Sequence, residues 1–336
     1  MVNRQITLAA RPEGFPKESD FALVEAAVPS PGPGEVLVRS QWLSVDPYMR
    51  GRMSTARSYA KPTEVGEAMT GQAVGEVVES QDPRFAPGDL VVGQLGWQDY
   101  GVARGGALRK LDPDLAPPQT ALHVLGATGL TAYFGLFDVG KAKPGDTVVV
   151  SAASGAVGQV VGQLARIAGC GPIVGLAGSA EKVSDLTGLY GYDVGIDYKG
   201  EDVKATLKEA CPDGVDVYFD NVGGEITDLV LVRLALHARV VVCGQISQYN
   251  NREPQLGPRN LGLLIVHRAR MEGFLVIDYA HRYDEALQRL GRWVLEGKLH
   301  YTEHVTEGIE NAPRAFIGML RGENRGKALV RVSSPE

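Results

Sequence analysis

Val148-Val-Val-Ser-Ala-Ala-Ser-Gly-Ala-Val-Gly-Gln159 decides how this chain is read. Its three valines predict a strand, the Ser/Ala/Gly run a tight turn, and the residues beyond a helix. The small residues fall as Ala153-x-Gly155-x-x-Gly158, a variant of the G-x-G-x-x-G dinucleotide fingerprint. Small side chains let backbone N–H groups approach a pyrophosphate, and a helix N-terminus adds favourable charge. Gly158 lets the helix pack closely on the sheet. The spacing alone also suits a plain tight turn. The strand before it, the helix after it and the βαβ unit it opens select the nucleotide reading. Ser154, Gly155, Ala156, Val157 and Gly158 then face the cofactor. The stretch Thr147–Ala165 has no charge over 19 residues, long enough to suggest a membrane span. Its Ser151, Ser154, Gly155 and Gly158, with Gln159 and Gln163, fit a strand, a turn and a helix better.

Downstream, strands alternate with helical stretches. Strands are expected at Thr147–Ser151, Pro172–Ala177, Val194–Asp197, Val215–Asp220, Arg239–Cys243 and Met271–Leu275, and helices near 156–169, 180–190, 201–211, 223–236 and 281–296. This alternation predicts an α/β fold, a Rossmann-type doubly wound parallel sheet. Gln119–Phe137 carries helical apolar spacing. Upstream, residues 1–110 read as β, with alternation in Glu35–Leu43, short β-branched runs at 73–79 and 89–93, and turns at Pro31–Gly34 and Ala86–Asp89. This spacing suggests a small barrel-like β domain. After Gly297, a strand at Thr302–Thr306, a helix near 309–321 and a strand at Lys327–Val332 are too few for a third domain. They return to the first. The expected division is 1–125 with 300–336 as substrate domain, and 126–299 as nucleotide domain.

The second strand selects the dinucleotide. NAD sites usually place an acid there for the ribose hydroxyl. Here the strand runs into Gly175-Leu-Ala-Gly-Ser179-Ala-Glu-Lys182, with no acid at its end. Ser179 can donate a hydrogen bond and Lys182 adds a positive charge, so NADPH is expected; a solvated helix lysine is the plainer account of Lys182.

Composition agrees. A chain of 336 residues favours two domains. With 34 Lys+Arg against 40 Asp+Glu the net charge is −6, which disfavours a nucleic-acid or anionic-membrane partner. Three cysteines, Cys170, Cys211 and Cys243, form no disulfide framework and no C-x-x-C. The apolar run Ile6–Ala10 is too short for a signal peptide, and Ser333–Glu336 matches no targeting tail. A cytoplasmic protein is the expectation.

Further ordered motifs are Ser44-Val-Asp-Pro-Tyr-Met-Arg50, Gly126-Ala-Thr-Gly-Leu-Thr-Ala-Tyr133, Gly178-Ser-Ala-Glu-Lys182, Tyr218-Phe-Asp-Asn-Val-Gly-Gly224, Cys243-Gly-Gln-Ile-Ser-Gln-Tyr249 and Gly322-Glu-Asn-Arg-Gly-Lys327. With the 148–159 turn, they make the chain resemble, over nearly its whole length, the zinc-independent medium-chain reductases. The branch is that of prostaglandin/leukotriene reductases, plant double-bond reductases and bacterial curcumin reductase. The resemblance implies a GroES-like β-barrel substrate domain. It implies NADPH-dependent reduction of a carbon–carbon double bond conjugated to a carbonyl, and commonly a homodimer. It places Lys182 and Tyr198 beside the adenosine phosphate, with Gly178 and Ser179 among the cofactor-binding residues. Asn221 and the loop Cys243–Tyr249, with Gly244 and Ile246, lie toward the nicotinamide, and Asn324 closes over the cofactor. Zinc relatives use a Gly-His-Glu motif where this chain has Gly71-Gln72-Ala73, and no Cys precedes residue 170, so no metal is expected.

Conjugate reduction needs hydride at the β-carbon, a donor to the developing enolate oxygen and a proton at the α-carbon. Tyrosine suits the last two roles. The candidates are Tyr59, Tyr48 and Tyr249, each of which could equally be a packing or surface aromatic. Some relatives carry a tyrosine where this chain has Val266; if that tyrosine is the family's usual proton donor, water, another tyrosine or the cofactor ribose hydroxyl must serve here. His300-Tyr-Thr-Glu-His304 matches H-x-x-E-H, but its β-branched alternation reads as a strand, and the metalloprotease pattern requires a helix. Arg50, Arg52 and Arg57 read as a solvated loop rather than an anion site. An NADPH quinone reductase is the second enzymatic reading. A non-catalytic NADPH-binding structural or regulatory protein is the alternative of another class.

Overall fold

The structure, a computed structural model, describes residues 2–332, so the tail Ser333–Glu336 lies outside the described residues. The chain divides into two compact units, Met1–His123 with Glu303–Glu336, and Val124–Thr302.

The first unit contains β1 (Val2–Leu8), β2 (Phe21–Ala27), β3 (Glu35–Ser44), β4 (Gln72–Ser80), β5 (Leu90–Gln94), β6 (Tyr100–Arg104) and β7 (Arg109–Lys110), with the four-residue helix α1 (Met49–Arg52). The second holds β8 (Val148–Val150), β9 (Ile173–Ala177), β10 (Val194–Asp197), β11 (Val215–Asp220), β12 (Leu234–Val242) and β13 (Arg270–Gly273). Its helices are α2 (Ala127–Phe134), α3 (Gly158–Ile167), α4 (Ala180–Gly188), α5 (Val203–Ala210), α6 (Gly224–Leu231), α7 (Gly262–His267) and α8 (Tyr283–Leu295). The chain then returns to the first unit through β14 (Glu303–Glu307), α9 (Ala312–Leu320) and β15 (Lys327–Arg331).

In the second unit six parallel strands run in the order β10-β9-β8-β11-β12-β13. This is the doubly wound sheet expected from the sequence. Its two faces alternate as a strand period of 2 requires. Val148, Val150, Val217 and Phe219 pack among α2, α3 and α8. Val149, Val174, Leu176 and Tyr218 pack among α5, α6 and α7. In the first unit, a barrel-like sheet runs β14-β15-β3-β4-β5-β7, with β6 also on β3. Trp97, Phe21 and Phe316 meet in its core at 5.9–6.1 Å between ring centroids.

Several boundaries differ from expectation. The Gln119–Phe137 stretch is interrupted: a 3₁₀ turn covers Pro118–Leu122, α2 starts only at Ala127, and Gly126 between them is extended. The helix expected to reach residue 236 stops at Leu231, because Leu234 already pairs with Val215 in the sheet. The helix α7 has no counterpart in the expected pattern.

Candidate active site

The 151–158 turn sits at the C-terminal end of β8. No side chain caps α3; Gln159 N donates to Gly155 O at 3.0 Å and Val161 N to Val157 O at 3.0 Å, so the turn itself closes the helix start. Gly158 is sterically obligatory there: a Cβ would lie 2.4 Å from Ala152 O and 2.6 Å from Ala153 Cα. The helix start is also held from below, where the buried Tyr192 hydroxyl donates to Gly158 O at 2.7 Å. Space for the Tyr192 ring comes from Gly162 and Gly175, whose Cβ atoms would meet it at 2.3 and 2.8 Å. Ser154 is buried within the turn.

At the end of β9, Ser179 caps α4 by accepting from Lys182 N at 3.4 Å. A Cβ on Gly178 would lie 2.8 Å from Tyr198 Oη and 3.3 Å from Lys199 Cε. Gly178, Ser179, Lys182, Tyr198 and Lys199 thus gather at one strand end. Burial pulls the Lys182 ammonium below its usual range, and Lys199 adds like-charge repulsion in the same direction. Two lysines held beside each other form a local positive site, and a phosphate dianion would relieve that repulsion. With the uncapped helix and the Gly158 cradle, these residues fit NADPH.

Between the two halves of the sheet, Asp220 ends β11. Its Oδ1 accepts from Ser151 Oγ, Tyr218 Oη, Val222 N and Gly223 N at 2.9–3.0 Å. Its Oδ2 accepts from Thr227 Oγ1. Ser151 Oγ in turn accepts from Asn221 N at 2.9 Å, and Asn221 Nδ2 donates to Ser151 O at 2.8 Å. Asp220 therefore ties β8 to β11 and orients Asn221. The Cys243–Tyr249 loop is laced alongside. Cys243 N and Gly244 N donate to Asp220 O, Ile246 N to Asn221 O, and Ser247 Oγ to Val222 O. Burial first, and then Asp220, pushes the Cys243 thiol up to about 12. The Tyr249 hydroxyl folds back on its own loop and accepts from Gln245 N at 3.2 Å.

In the first unit, Asp46-Pro47-Tyr48 leads into α1. Lys327 is fully buried, and its Nζ donates to Val45 O at 2.8 Å, Asp46 Oδ1 at 2.9 Å and Ala328 O at 3.1 Å. Ser44 Oγ takes the other Asp46 oxygen. Burial pulls the Lys327 ammonium down while Asp46 opposes the shift. Beyond this clamp the Tyr48 hydroxyl is buried, and no described residue meets hydrogen-bond geometry with it, although Gln94 lies nearby. Burial, reinforced by Asp46, raises its pKa well above the phenolic range, so the group stays protonated. The Tyr59 side chain is 62% exposed. Asn324 lies in the turn between α9 and β15, and its Nδ2 donates to Gly326 O.

The arginine cluster corrects the sequence reading. Arg50 and Arg52 are buried; only Arg57 is exposed. Arg50 donates to Gly14 O, and Arg52 to Ser58 Oγ and Ala60 O, so neither lies in a solvated loop. The H-x-x-E-H residues are extended: Glu303 and His304 lie on β14, and the His300 backbone pairs with the Gln163 side-chain amide. Lys199, Asp220 and Lys327 escaped the sequence reading. Lys199 was visible as the basic neighbour of Tyr198, and Asp220 as the acid before Asn221. Nothing local marks Lys327 as a partner of Asp46. Among the described residues no group of His, Cys, Asp and Glu is placed to hold a metal ion, and no helix is long and apolar enough to cross a membrane.

A doubly wound parallel sheet with two lysines gathered at one strand end fits the class of dinucleotide-dependent oxidoreductases. Residues 4–111 match the family described as the N-terminal domain of oxidoreductase, and residues 156–292 the one described as zinc-binding dehydrogenase. The chain is 46% identical to the NADPH-dependent curcumin reductase of Escherichia coli, over 99% of this chain and 98% of the relative. It is 45% identical to the NADP(+)-dependent 2-alkenal reductase of Nicotiana tabacum, over 98% of each. The solved structure of CurA from Vibrio vulnificus in complex with NADPH superposes with a TM-score of 0.95 at 44% identity, covering 99% of this chain and 100% of that one. The chain belongs to the medium-chain dehydrogenase/reductase family, in its zinc-independent branch.

Proposed function

We propose that this protein uses NADPH to reduce the carbon–carbon double bond of small α,β-unsaturated ketones and aldehydes, without a metal. The observation that carries the reading is the Tyr48 hydroxyl, buried, protonated and without a protein acceptor. A carbonyl oxygen gaining negative charge is the partner such a donor lacks. Support also comes from relatives whose names specify curcumin and 2-alkenal reduction with NADP cofactors.

In this reading the second unit binds the cofactor and the first the substrate. Bound NADPH supplies the hydride for the β-carbon. Lys182, Lys199, Ser179 and Tyr198 hold its adenosine phosphate beside Gly178. The Ser154–Gly158 turn and the α3 N-terminus take the pyrophosphate. Asp220 fixes Asn221, and the Cys243–Tyr249 loop, with Gly244 and Ile246, borders the nicotinamide half; Asn324 is a further cofactor-binding candidate. Tyr48 Oη donates to the substrate oxygen, while the Lys327–Asp46 clamp fixes the turn that carries it. Tyr59, with its hydroxyl open to water, relays the α-carbon proton. Tyr249 shapes the nicotinamide loop.

The active species is a homodimer. The β13 edge is unpaired in the sheet, and Ile265 and Val266 on neighbouring α7 are 81% and 65% exposed. Ile265→Asp should shift the sedimentation coefficient to that of a monomer. Three free thiols suit a cytoplasmic setting.

The deciding experiment follows NADPH oxidation across α,β-unsaturated ketones, aldehydes and quinones, with products identified by mass spectrometry and NMR. Saturated carbonyl products are expected. Allylic alcohols, or turnover with quinones alone, would overturn the reading.

A further inference from the structure

Arg52 closes α1 and is only 6% exposed, and among the described residues no carboxylate forms an ion pair with it. A buried guanidinium stays charged, so its surroundings must replace the lost hydration. Aromatic faces and loop acceptors do so here. The guanidinium carbon stands 4.4 Å from the Tyr59 ring centroid and 5.7 Å from that of Tyr48. Its Nη1 donates to Ser58 Oγ at 3.2 Å and Ala60 O at 3.1 Å, the residues on either side of Tyr59. The backbone closes the same loop, since Thr63 N donates to Arg52 O at 2.8 Å. Tyr59 itself is largely exposed, and its hydroxyl has no protein partner among the described residues. Arg52 thus touches the Tyr59 ring and bonds both of its neighbours in the chain.

We propose that Arg52 is a positioning residue that sets Tyr59 against Tyr48 and keeps the 53–63 loop folded over α1. The inference rests on the reading that these two tyrosines face the substrate. Only arginine combines a planar face that stacks on an aromatic ring with in-plane donors at its edge; a lysine keeps the charge and loses that geometry. The missing carboxylate also has a consequence. Asp46, the acid beside Tyr48, is already engaged by Lys327. The Arg52 charge is left uncompensated on the wall where an enolate oxygen would develop, and it favours that charge.

The test uses the full-length protein with NADPH and an α,β-unsaturated ketone. Arg52→Gln, Arg52→Lys, Tyr59→Phe and the Arg52→Gln/Tyr59→Phe double variant are compared for NADPH Kd, kcat, KM and amide hydrogen exchange over residues 54–62. Unchanged NADPH affinity shows that each variant is folded. Arg52→Gln should lower kcat/KM roughly 3- to 30-fold, the range of a partly desolvated cation–aromatic contact, and should speed exchange in the loop. Arg52→Lys should recover part of the rate but not the loop protection. The double variant should lose less than the product of the two single losses, as coupled residues do. Wild-type kcat, KM and exchange in Arg52→Gln would overturn the inference while leaving the proposed reaction standing, even if that variant melted earlier. A wild-type protein that reduces no unsaturated carbonyl would overturn the proposed reaction, and this inference with it.

Discussion

Removing the Tyr48 hydroxyl should make the protein more stable and less active. The hydroxyl is buried without an acceptor, and an unsatisfied buried polar group costs about 1–3 kcal/mol. Tyr48→Phe deletes the group while keeping the ring, which packs on the core of the first unit. The stability gained is the desolvation penalty less the small void left behind, so about 1 kcal/mol is the expected net effect. For a cooperative unit of this size, that raises Tm by about 2–4 °C. The effect on chemistry runs the other way. Losing one donor to a developing oxyanion typically lowers kcat by about 10²–10³-fold.

Both quantities are measurable on one preparation. Calorimetry of the cofactor-free protein reads Tm. Stopped-flow NADPH oxidation with an enone, repeated with 4-deuterated NADPH, reads the hydride step. The two signs must oppose each other. A lower Tm with unchanged kcat would mean that the hydroxyl has a structural partner and no substrate role, and would refute the reasoning at both points. A higher Tm with unchanged kcat would leave the burial argument intact and remove Tyr48 from the reaction.

Other outcomes follow from the same geometry. Lys182→Ala and Lys199→Ala should each weaken NADPH by roughly 10–150-fold in titration calorimetry and leave NADH nearly unaffected, because in the proposed site each would lose a charge-assisted bond to the extra phosphate; equal losses for both cofactors would count against that site. Gly158→Ala should destabilise the protein by about 1–3 kcal/mol in urea and impair NADPH binding, since its Cβ meets the Ala152 and Ala153 backbone at 2.4–2.7 Å. Tyr48, Tyr192 and Tyr218 all have hydroxyl pKa values raised mainly by burial. The unfolded chain sheds these protons from about pH 10 while the folded one retains them, so this contribution is flat below that pH and stability falls above it. Urea midpoints from pH 8 to 11 would show it, and a flat profile above pH 10 would contradict it.

The 151–158 turn was legible because everything that defines its geometry is local. Strand, turn and helix occupy 148–167 without interruption, and the glycine positions follow from backbone proximity within that segment. The cluster at the end of β9 was half legible. Lys182 is one turn into the helix after the second strand, where a rule exists for what should stand. Lys199 arrives from the end of the third strand, and only the parallel pairing of β10 with β9 brings it to Gly178. Asp220 shows the same division: its place before Asn221 is in the sequence, but the donors from Ser151 and Thr227 are not.

The first unit was less legible, for a reason specific to charge. A basic residue in a loop-rich stretch is usually solvated, so the sequence alone does not separate Arg50, Arg52 and Arg57. What separates Arg52 from Arg57 is whether tertiary contacts can replace water around the guanidinium. Two tyrosine rings and two oxygens of the 58–60 segment do so for Arg52 alone. The Lys327–Asp46 pair is the extreme case, joining residues 281 positions apart through an ammonium with no exposure. Its stability depends on three acceptors converging at once; removing any one leaves a buried cation short of a partner. Such convergence is set by the antiparallel pairing of β15 with β3, not by either motif. The 151–158 turn could thus be read from one segment, whereas the clamp beside Tyr48 depends on a strand 281 positions further along the chain.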